Sequence, residues 1–289
     1  MDLIRIKEGI YYIKDSTNLP LFKAGSFFIL FDSPIDKEKS KKVKKIIEEK
    51  RFPLKTLIFS HHHADHMGGG NFLKNYFNLR TYSSKSEKIF LENPILEPIY
   101  LSSGAKPPSD FLNKWIYGEE VLIDETIDNL KLKEIEFLDL SGHSIGMIGI
   151  KLEDIIFSAD TFFSIEILDK YVVPYFYSYN NFLKKMNYIK NLDFSFIVPS
   201  HGEFMDKDQA IKVIDFNIKN LIDLKETIFK LIKEPKSIDE IINNLNLNIE
   251  SFVVLSLIKS SIISLLNEAK DNQELEIIIK KGVVLFKKI

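Results

Sequence analysis

The chain has 289 residues, 45% hydrophobic and 28% charged, which is enough apolar material for one large domain plus a modest second one and excludes a disordered or fibrous chain. Thirty-nine Lys and Arg against 41 Asp and Glu give a formal net charge of -2, so no bulk positive field exists to hold a polyanion or an acidic membrane. With no cysteine, a disulfide scaffold, a thiolate metal site and a cysteine nucleophile are excluded, and any metal must sit on nitrogen and oxygen ligands.

The opening residues, Met1-Asp2-Leu3-Ile4-Arg5-Ile6-Lys7-Glu8-Gly9, carry charges at every second or third position, and no apolar stretch of secretory length occurs among them. The runs Phe252-Val253-Val254-Leu255 and Ile262-Ile263 are broken by Ser and Lys short of the roughly 18 to 20 residues that a bilayer crossing needs. The expected location is the cytoplasm, with no membrane partner.

Short β-like runs come first: Leu3 to Lys7, Gly9 to Lys14, and Ser26 to Asp32, bounded by Gly25 and Pro34. Residues Asp36 to Lys50 place Val43, Ile46 and Ile47 at helical spacing, and Lys55 to Ser60 then reads as a buried strand. Further strands are expected at Leu79 to Tyr82, Leu132 to Leu140, Ile148 to Leu152, Ile155 to Ser158 and Phe194 to Pro199. Helices are expected near Asn71 to Tyr76 and Asn181 to Lys190. The mixture is that of layered sheets covered by helices, an α+β chain.

From about Asp206 the pattern turns helical: Asp208 to Lys233, then Ser237 to Leu245 opening on the capping box Ser237-Ile238-Asp239-Glu240, then Ile249 to Ala269. Two apolar runs, Leu275 to Ile279 and Val283 to Lys287, flank Lys280-Lys281-Gly282 as a hairpin. Helix, helix, helix, hairpin resembles a winged helix. The domain expectation is therefore residues 1–205 for the layered part and 206–289 for a helical, winged-helix-like part.

Six histidines are the chain's chemistry, and each follows a predicted strand: His61, His62, His63 and His66 in one cluster, then His143, then His201. The cluster reads Ser60-His61-His62-His63-Ala64-Asp65-His66-Met67-Gly68-Gly69, with small residues that let backbone approach closely. Alternation puts His61 and His63 on one side and turns His62 away, so a His62 substitution is expected to leave the chemistry little changed. A lone histidine is usually a packing residue. Here His-x-His-x-Asp-His is joined by Gly142-His143-Ser144, Ser158-Ala159-Asp160-Thr161 and Pro199-Ser200-His201-Gly202, and imidazole with carboxylate is a ligand set for Zn, Fe or Mn.

These motifs resemble the metallo-β-lactamase-fold hydrolases over roughly residues 1 to 205, and within them the glyoxalase-II-like branch. The resemblance implies a four-layer αββα sandwich. It implies that His61, His63 and His143 hold one metal, that Asp65, His66 and His201 hold a second, and that Asp160 bridges both. Asp65 and Asp160 are then the residues that bear on catalysis as well, and Asp32 stands behind the ligands. Ala159 in place of Gly and Pro34 after Ser33 depart from the pattern without removing a ligand. Diiron oxygen reductases on this fold carry Glu at the position of His63 and a further flavodoxin-like domain, so redox chemistry is disfavoured. Exported β-lactamases are disfavoured by the missing leader and cysteine.

Seven such ligands exceed one tetrahedral ion, so two divalent transition metals are expected, with Zn as the default and Fe or Mn as alternatives. Ions so placed lower the pKa of a shared water from 15.7 toward roughly 7, and a hydroxide between them can attack an ester, thioester or related small molecule. The alternative is an endoribonuclease or phosphodiesterase whose C-terminal region contacts nucleic acid. From residue 206 onward 13 Lys face 13 Asp and Glu with no Arg, which disfavours that partner, and self-association as a homodimer is an equal use of the region. Two aromatic stretches are candidate pocket walls: Glu92 to Trp115, read as a lid, and Phe162 to Tyr179.

Overall fold

A computed structural model describes the whole chain, residues 1–289. Its packing divides it into two compact units, one made of Met1–Leu140, Ile145–Asp160 and Asp193–Lys207, the other of Ser141–Ser144, Thr161–Leu192 and Asp208–Ile289.

The first unit opens as an antiparallel meander, β1 (Asp2–Lys7), β2 (Ile10–Lys14), β3 (Leu19–Ala24) and β4 (Phe27–Phe31). The sequence reading contains β1, β2 and β4 and omits β3, whose second residue is Pro20, a residue that sheets confine to edges and strand starts. The proline is tolerated because pairing of β3 to β4 begins at Leu21↔Leu30, beyond Pro20. After β4 the chain crosses over through α1 (Lys37–Glu49) to the parallel strand β5 (Leu54–Ile58). Asp36 caps α1 by accepting from Lys39 N at 2.9 Å, and Val43 and Ile47 bury its inner face, as their spacing predicts. The short α2 (Ala64–Met67) and α3 (Gly70–Phe77) lead to β6 (Arg80–Ser83), and α4 (Lys85–Leu91), α5 (Leu96–Leu101) and β7 (Glu125–Thr126) complete this half. The seven strands form one sheet in chain order.

A second sheet contains β8 (Glu136–Asp139), β9 (Ile148–Leu152), β10 (Ile155–Phe157), β11 (Phe196–Val198) and β12 (Met205–Asp206), ordered β12-β11-β10-β9-β8. Period-two alternation decides how the sheets stack. In β4, Phe28 and Leu30 join Val43, Ile47, Leu73 and Leu91 in the core under the helices, while Ile29 and Phe31 join Ile150, Phe157 and Val198 between the sheets. A strand buried on both faces reads as an unbroken apolar run, which is what Phe27-Phe28-Ile29-Leu30-Phe31 is. The α+β class and the two-sheet sandwich agree with the sequence expectation. The Glu92 to Trp115 segment divides: Phe111 is fully buried, while Trp115 is exposed.

Gly68 and Gly69 close the histidine loop against α1. A Cβ at Gly68 would lie 2.0 Å from Ile35 O, and one at Gly69 2.0 Å from Ser40 Oγ. Gly68→Ala must therefore push backbone apart, and it is expected to destabilise by about 1 to 3 kcal/mol or more in urea unfolding. A variant as stable as the parent would contradict this account of the loop.

The second unit holds α6 (Ile165–Tyr171), α7 (Tyr179–Asn191), α8 (Lys207–Leu231), α9 (Ile238–Asn244), α10 (Phe252–Asp271) and the hairpin β13 (Leu275–Lys280) and β14 (Val283–Lys288). The capping box at Ser237 and Glu240 forms as expected. Lys236 forms an isolated antiparallel bridge to Phe286, so the chain order of this part is α8, bridge, α9, α10, hairpin. Against the expectation from broken apolar runs, α10 is one continuous helix long and apolar enough to cross a membrane by length and composition. Its serines are used inside the unit: Ser261 Oγ accepts from Phe176 N at 3.1 Å, and Ser264 Oγ donates to Tyr177 O at 2.9 Å. Buried Ile258, Ile262, Leu265 and Leu266 line its packed face.

Candidate metal centre

The centre is built at the carboxyl ends of strands. β5 ends at Ile58 and delivers His61, His62 and His63 before α2, β10 delivers Ser158-Ala159-Asp160, and the parallel β11 delivers Pro199-Ser200-His201. Ser200 N donates to Ala159 O at 3.1 Å, tying the last two loops side by side. His61 Nε2 and His63 Nδ1 lie 3.0 Å apart, so the alternating pair converges as predicted.

Behind them stands Asp32, fully buried at the end of β4. One of its oxygens accepts from Ser60 N at 2.6 Å, and the other from Ser60 Oγ at 2.7 Å and from His66 Nδ1 at 2.9 Å. Ser60 spends its only proton on Asp32, so its Oγ accepts from His61 Nδ1 at 2.8 Å. The network thereby fixes Nδ1–H on both rings and leaves Nε2 of each as the metal-facing atom. His201 is oriented in the same way by Ser16 O, 2.8 Å from its Nδ1, and Thr17 Oγ1 donates to Asp65 Oδ2 at 3.2 Å.

The remaining donors face one another. Asp65 Oδ2 lies 3.0 Å from His201 Nε2 and 3.8 Å from His66 Nε2, and Asp160 offers one oxygen to each ring at 3.5 Å. Two ligands on one tetrahedral ion with bonds of roughly 2.0–2.2 Å are separated by about 3.3 to 3.6 Å, which these distances bracket. His66 Nε2 is buried with no hydrogen-bond partner, as a ligand atom should be. Asp65, His66 and His201 form one candidate group, and His61, His66 and Asp160 another that overlaps it. The residues present fit divalent metal.

Without metal the cluster carries opposed charges. Burial disfavours the imidazolium of His66, yet Asp160, Asp65 and Asp32 outweigh it and push the ring up to about 10. His201 is likewise raised well above its usual range against burial, by Asp160 and Asp65. Burial would raise Asp65 and Asp160, but the two rings hold both carboxylates far below theirs.

His143 belongs to the second unit. Its Nδ1 lies 3.0 Å from Tyr175 O, which fixes that nitrogen as the donor, and the rings of Phe163, Tyr175 and Phe182 surround it at centroid distances of 5.6 to 6.2 Å. Part of the second aromatic stretch thus packs on this histidine.

A family profile described as the metallo-beta-lactamase superfamily matches residues 17–201. The chain belongs to that superfamily. No curated protein matches in sequence. Among solved structures, a metallo-beta-lactamase family protein from Thermus thermophilus superposes with a TM-score of 0.73 at 14% identity, covering 98% of this chain and 100% of that one. A beta-lactamase domain protein from Burkholderia ambifaria gives 0.71 at 16% identity, covering 100% and 94%. A metallo-beta-lactamase from Pontibacter korlensis gives 0.54 at 14% identity, covering 77% and 99%. At these identities the likeness is one of fold, and the first two share it over nearly the whole chain.

Against the superfamily pattern, Ala159 is the informative departure. Its φ of 47 lies in the left-handed region, which explains the glycine expected there and makes alanine tolerable at a modest strain cost. His62 turns away from His61 and His63 as alternation predicts, but it is not a free surface ring. It is buried, stacks on Phe90, and its Nδ1 and backbone N both meet Glu87 Oε2, at 2.5 and 2.9 Å. The expectation that a His62 substitution does little is therefore corrected: it would strand a buried carboxylate. Glu87 and Glu97, neither marked by the sequence reading, are the other acidic groups here. Burial pushes Glu97 up to about 8, and its Oε1 lies 3.9 Å from His63 Nε2.

Proposed function

We propose that the protein is a binuclear metal-dependent hydrolase of the glyoxalase-II-like branch, acting on an ester, thioester or related small molecule. The observation that carries this is the convergence of His61 with His63 and of Asp65, His66, Asp160 and His201, with the rings of His61, His66 and His201 oriented from behind by Ser60, Asp32 and Ser16 O. By the motifs they match, His61, His63 and His143 would hold one ion, Asp65, His66 and His201 the other, and Asp160 would serve both, with Zn as the default metal.

Divalent metal held there supplies hydroxide at neutral pH and a Lewis acid for the oxygen under attack. The chain's own part is to keep the rings in one tautomer and the carboxylates ionised. Asp32, through Ser60 and His66, prevents those Nδ1 atoms from turning into the site, and Thr17 holds Asp65 by its metal-facing oxygen. The aromatic surroundings of His143, Phe163 and Tyr175, favour a partly apolar substrate.

A second reading, cleavage of RNA or another phosphodiester, is favoured by the winged-helix order of the C-terminal elements and opposed by their balanced charge. The test is a panel of thioester, lactone, phosphodiester and single-stranded RNA offered to the metal-loaded protein. The proposal expects turnover of the thioester or lactone and RNA binding that is weak and nearly independent of salt. Turnover of RNA alone, with binding that falls steeply as salt rises, would replace it with the second reading. A location in the cytoplasm accompanies either reading and is tested by fractionation.

A further inference from the structure

Glu87 is a fully buried carboxylate outside the ligand set. Ser84 caps α4 by accepting from Glu87 N, which places Glu87 in the first helical turn with its side chain directed inward and 0% exposed. One oxygen accepts both hydrogen bonds of His62, from its backbone N and its Nδ1, and the other accepts from Gly146 N at 2.7 Å. Three donors from two separate loops thus end on one buried carboxylate. The first loop lies between His61 and His63. The second is the turn just before β9, three residues along the chain from His143, and it is pinned again by Ile148 N donating to Ser60 O at 3.1 Å. Gly146 must be glycine for this approach, because a Cβ there would lie 2.6 Å from Ser84 Oγ.

The geometry points to Glu87 as a positioning residue for the metal centre: by accepting from the backbone N and from Nδ1 of His62 it holds the intervening residue outward, so that His61 Nε2 and His63 Nδ1 meet on the opposite side. The argument is stereochemical. A rotation of the His62 peptide would carry both neighbours with it, and a carboxylate that accepts from the backbone N–H and from the ring of the same residue blocks that rotation. Glutamine has the same size but can accept at only one end. Its amide NH2 would face either Gly146 N–H or the His62 donors, so one of the two loops is released.

This inference rests on the metal-binding reading, and the experiment separates the two. Metal-free wild type, Glu87→Gln, His62→Leu and the core control Leu91→Ala, a buried residue on the same helix, are titrated with Co2+. The visible ligand-field bands are followed, and circular dichroism and thermal unfolding are recorded alongside. The expected result is that Glu87→Gln and His62→Leu, where folded, bind Co2+ roughly 10 to 100-fold more weakly with altered bands. Leu91→Ala should lose stability and keep its Co2+ affinity. Unchanged affinity and bands in folded Glu87→Gln or folded His62→Leu, or an equal loss in Leu91→Ala, would overturn the positioning role. Absence of Co2+ binding by wild type would instead overturn the metal reading itself.

Discussion

Replacing Asp160 by asparagine is expected to cut hydrolysis by more than about 100-fold while the protein still folds. Asp160 gives separate oxygens to His66 and His201 at 3.5 Å each, and an amide can present only one neutral acceptor where two anionic contacts stood. Loss of a group that merely orients a ligand costs roughly 10 to 100-fold in metal affinity or activity, so loss of the ligand that faces both rings should exceed it. The measurement is kcat/KM on the best substrate of the panel, with metal content and circular dichroism on the same sample. A folded variant that keeps both its metal and at least half its activity would show that Asp160 is not the shared ligand.

The metal-free protein is expected to lose stability as pH rises from about 6.5 to 10, the reverse of what its metal-loaded form does. His66 titrates near 6.5 when unfolded and near 10 when folded, so its contribution is fully present below the first value and lost through the second. His201 and His62, both raised, act in the same direction. Glu97, lifted by burial from 4.5 to about 8, adds a loss over a lower window of the same sign. Asp65 and Asp160, both lowered, contribute stability above about 3.8 that is lost as the solution is acidified further. Metal needs neutral imidazoles, so its binding displaces these protons and strengthens over the very range in which the empty site weakens. Thermal unfolding from pH 5 to 9, with chelator and with saturating Zn, should give melting temperatures that diverge as pH rises. Metal-free stability that is flat or rising between pH 6.5 and 9 would contradict the charge pattern of the site.

Most of the candidate metal centre was legible in the sequence because its parts are local. His61, His63, Asp65 and His66 sit within six positions after one strand, and His201 and Asp160 follow the ends of strands whose apolar runs are unbroken. Helix α1 was equally legible, since Asp36, Val43 and Ile47 carry its cap and its buried stripe at the expected spacing. What escaped depended on contacts between distant segments. Glu87 reads as one more charge on a Lys-rich stretch, and only the fold brings it to His62 and to Gly146, 59 residues away. The grouping of Thr161–Leu192 with the C-terminal helices is of the same kind: it rests on Ser261, Ser264 and Glu268 meeting residues 176–180, and serines scattered along an apolar helix give no local sign of it. Strand β3 escaped as well: Pro20 weakens its local strand signal, and the structure accommodates it because the ladder to β4 begins only at Leu21.

The central claim is that this chain holds two divalent ions on nitrogen and oxygen ligands, and metal stoichiometry tests it most directly. Purified protein equilibrated with excess Zn, or separately with Mn, is freed of unbound metal and analysed for metal and protein together. The account predicts two equivalents per chain, with Asp160→Asn retaining fewer. One equivalent or less in the wild type, reproduced with both metals in folded protein, would contradict it.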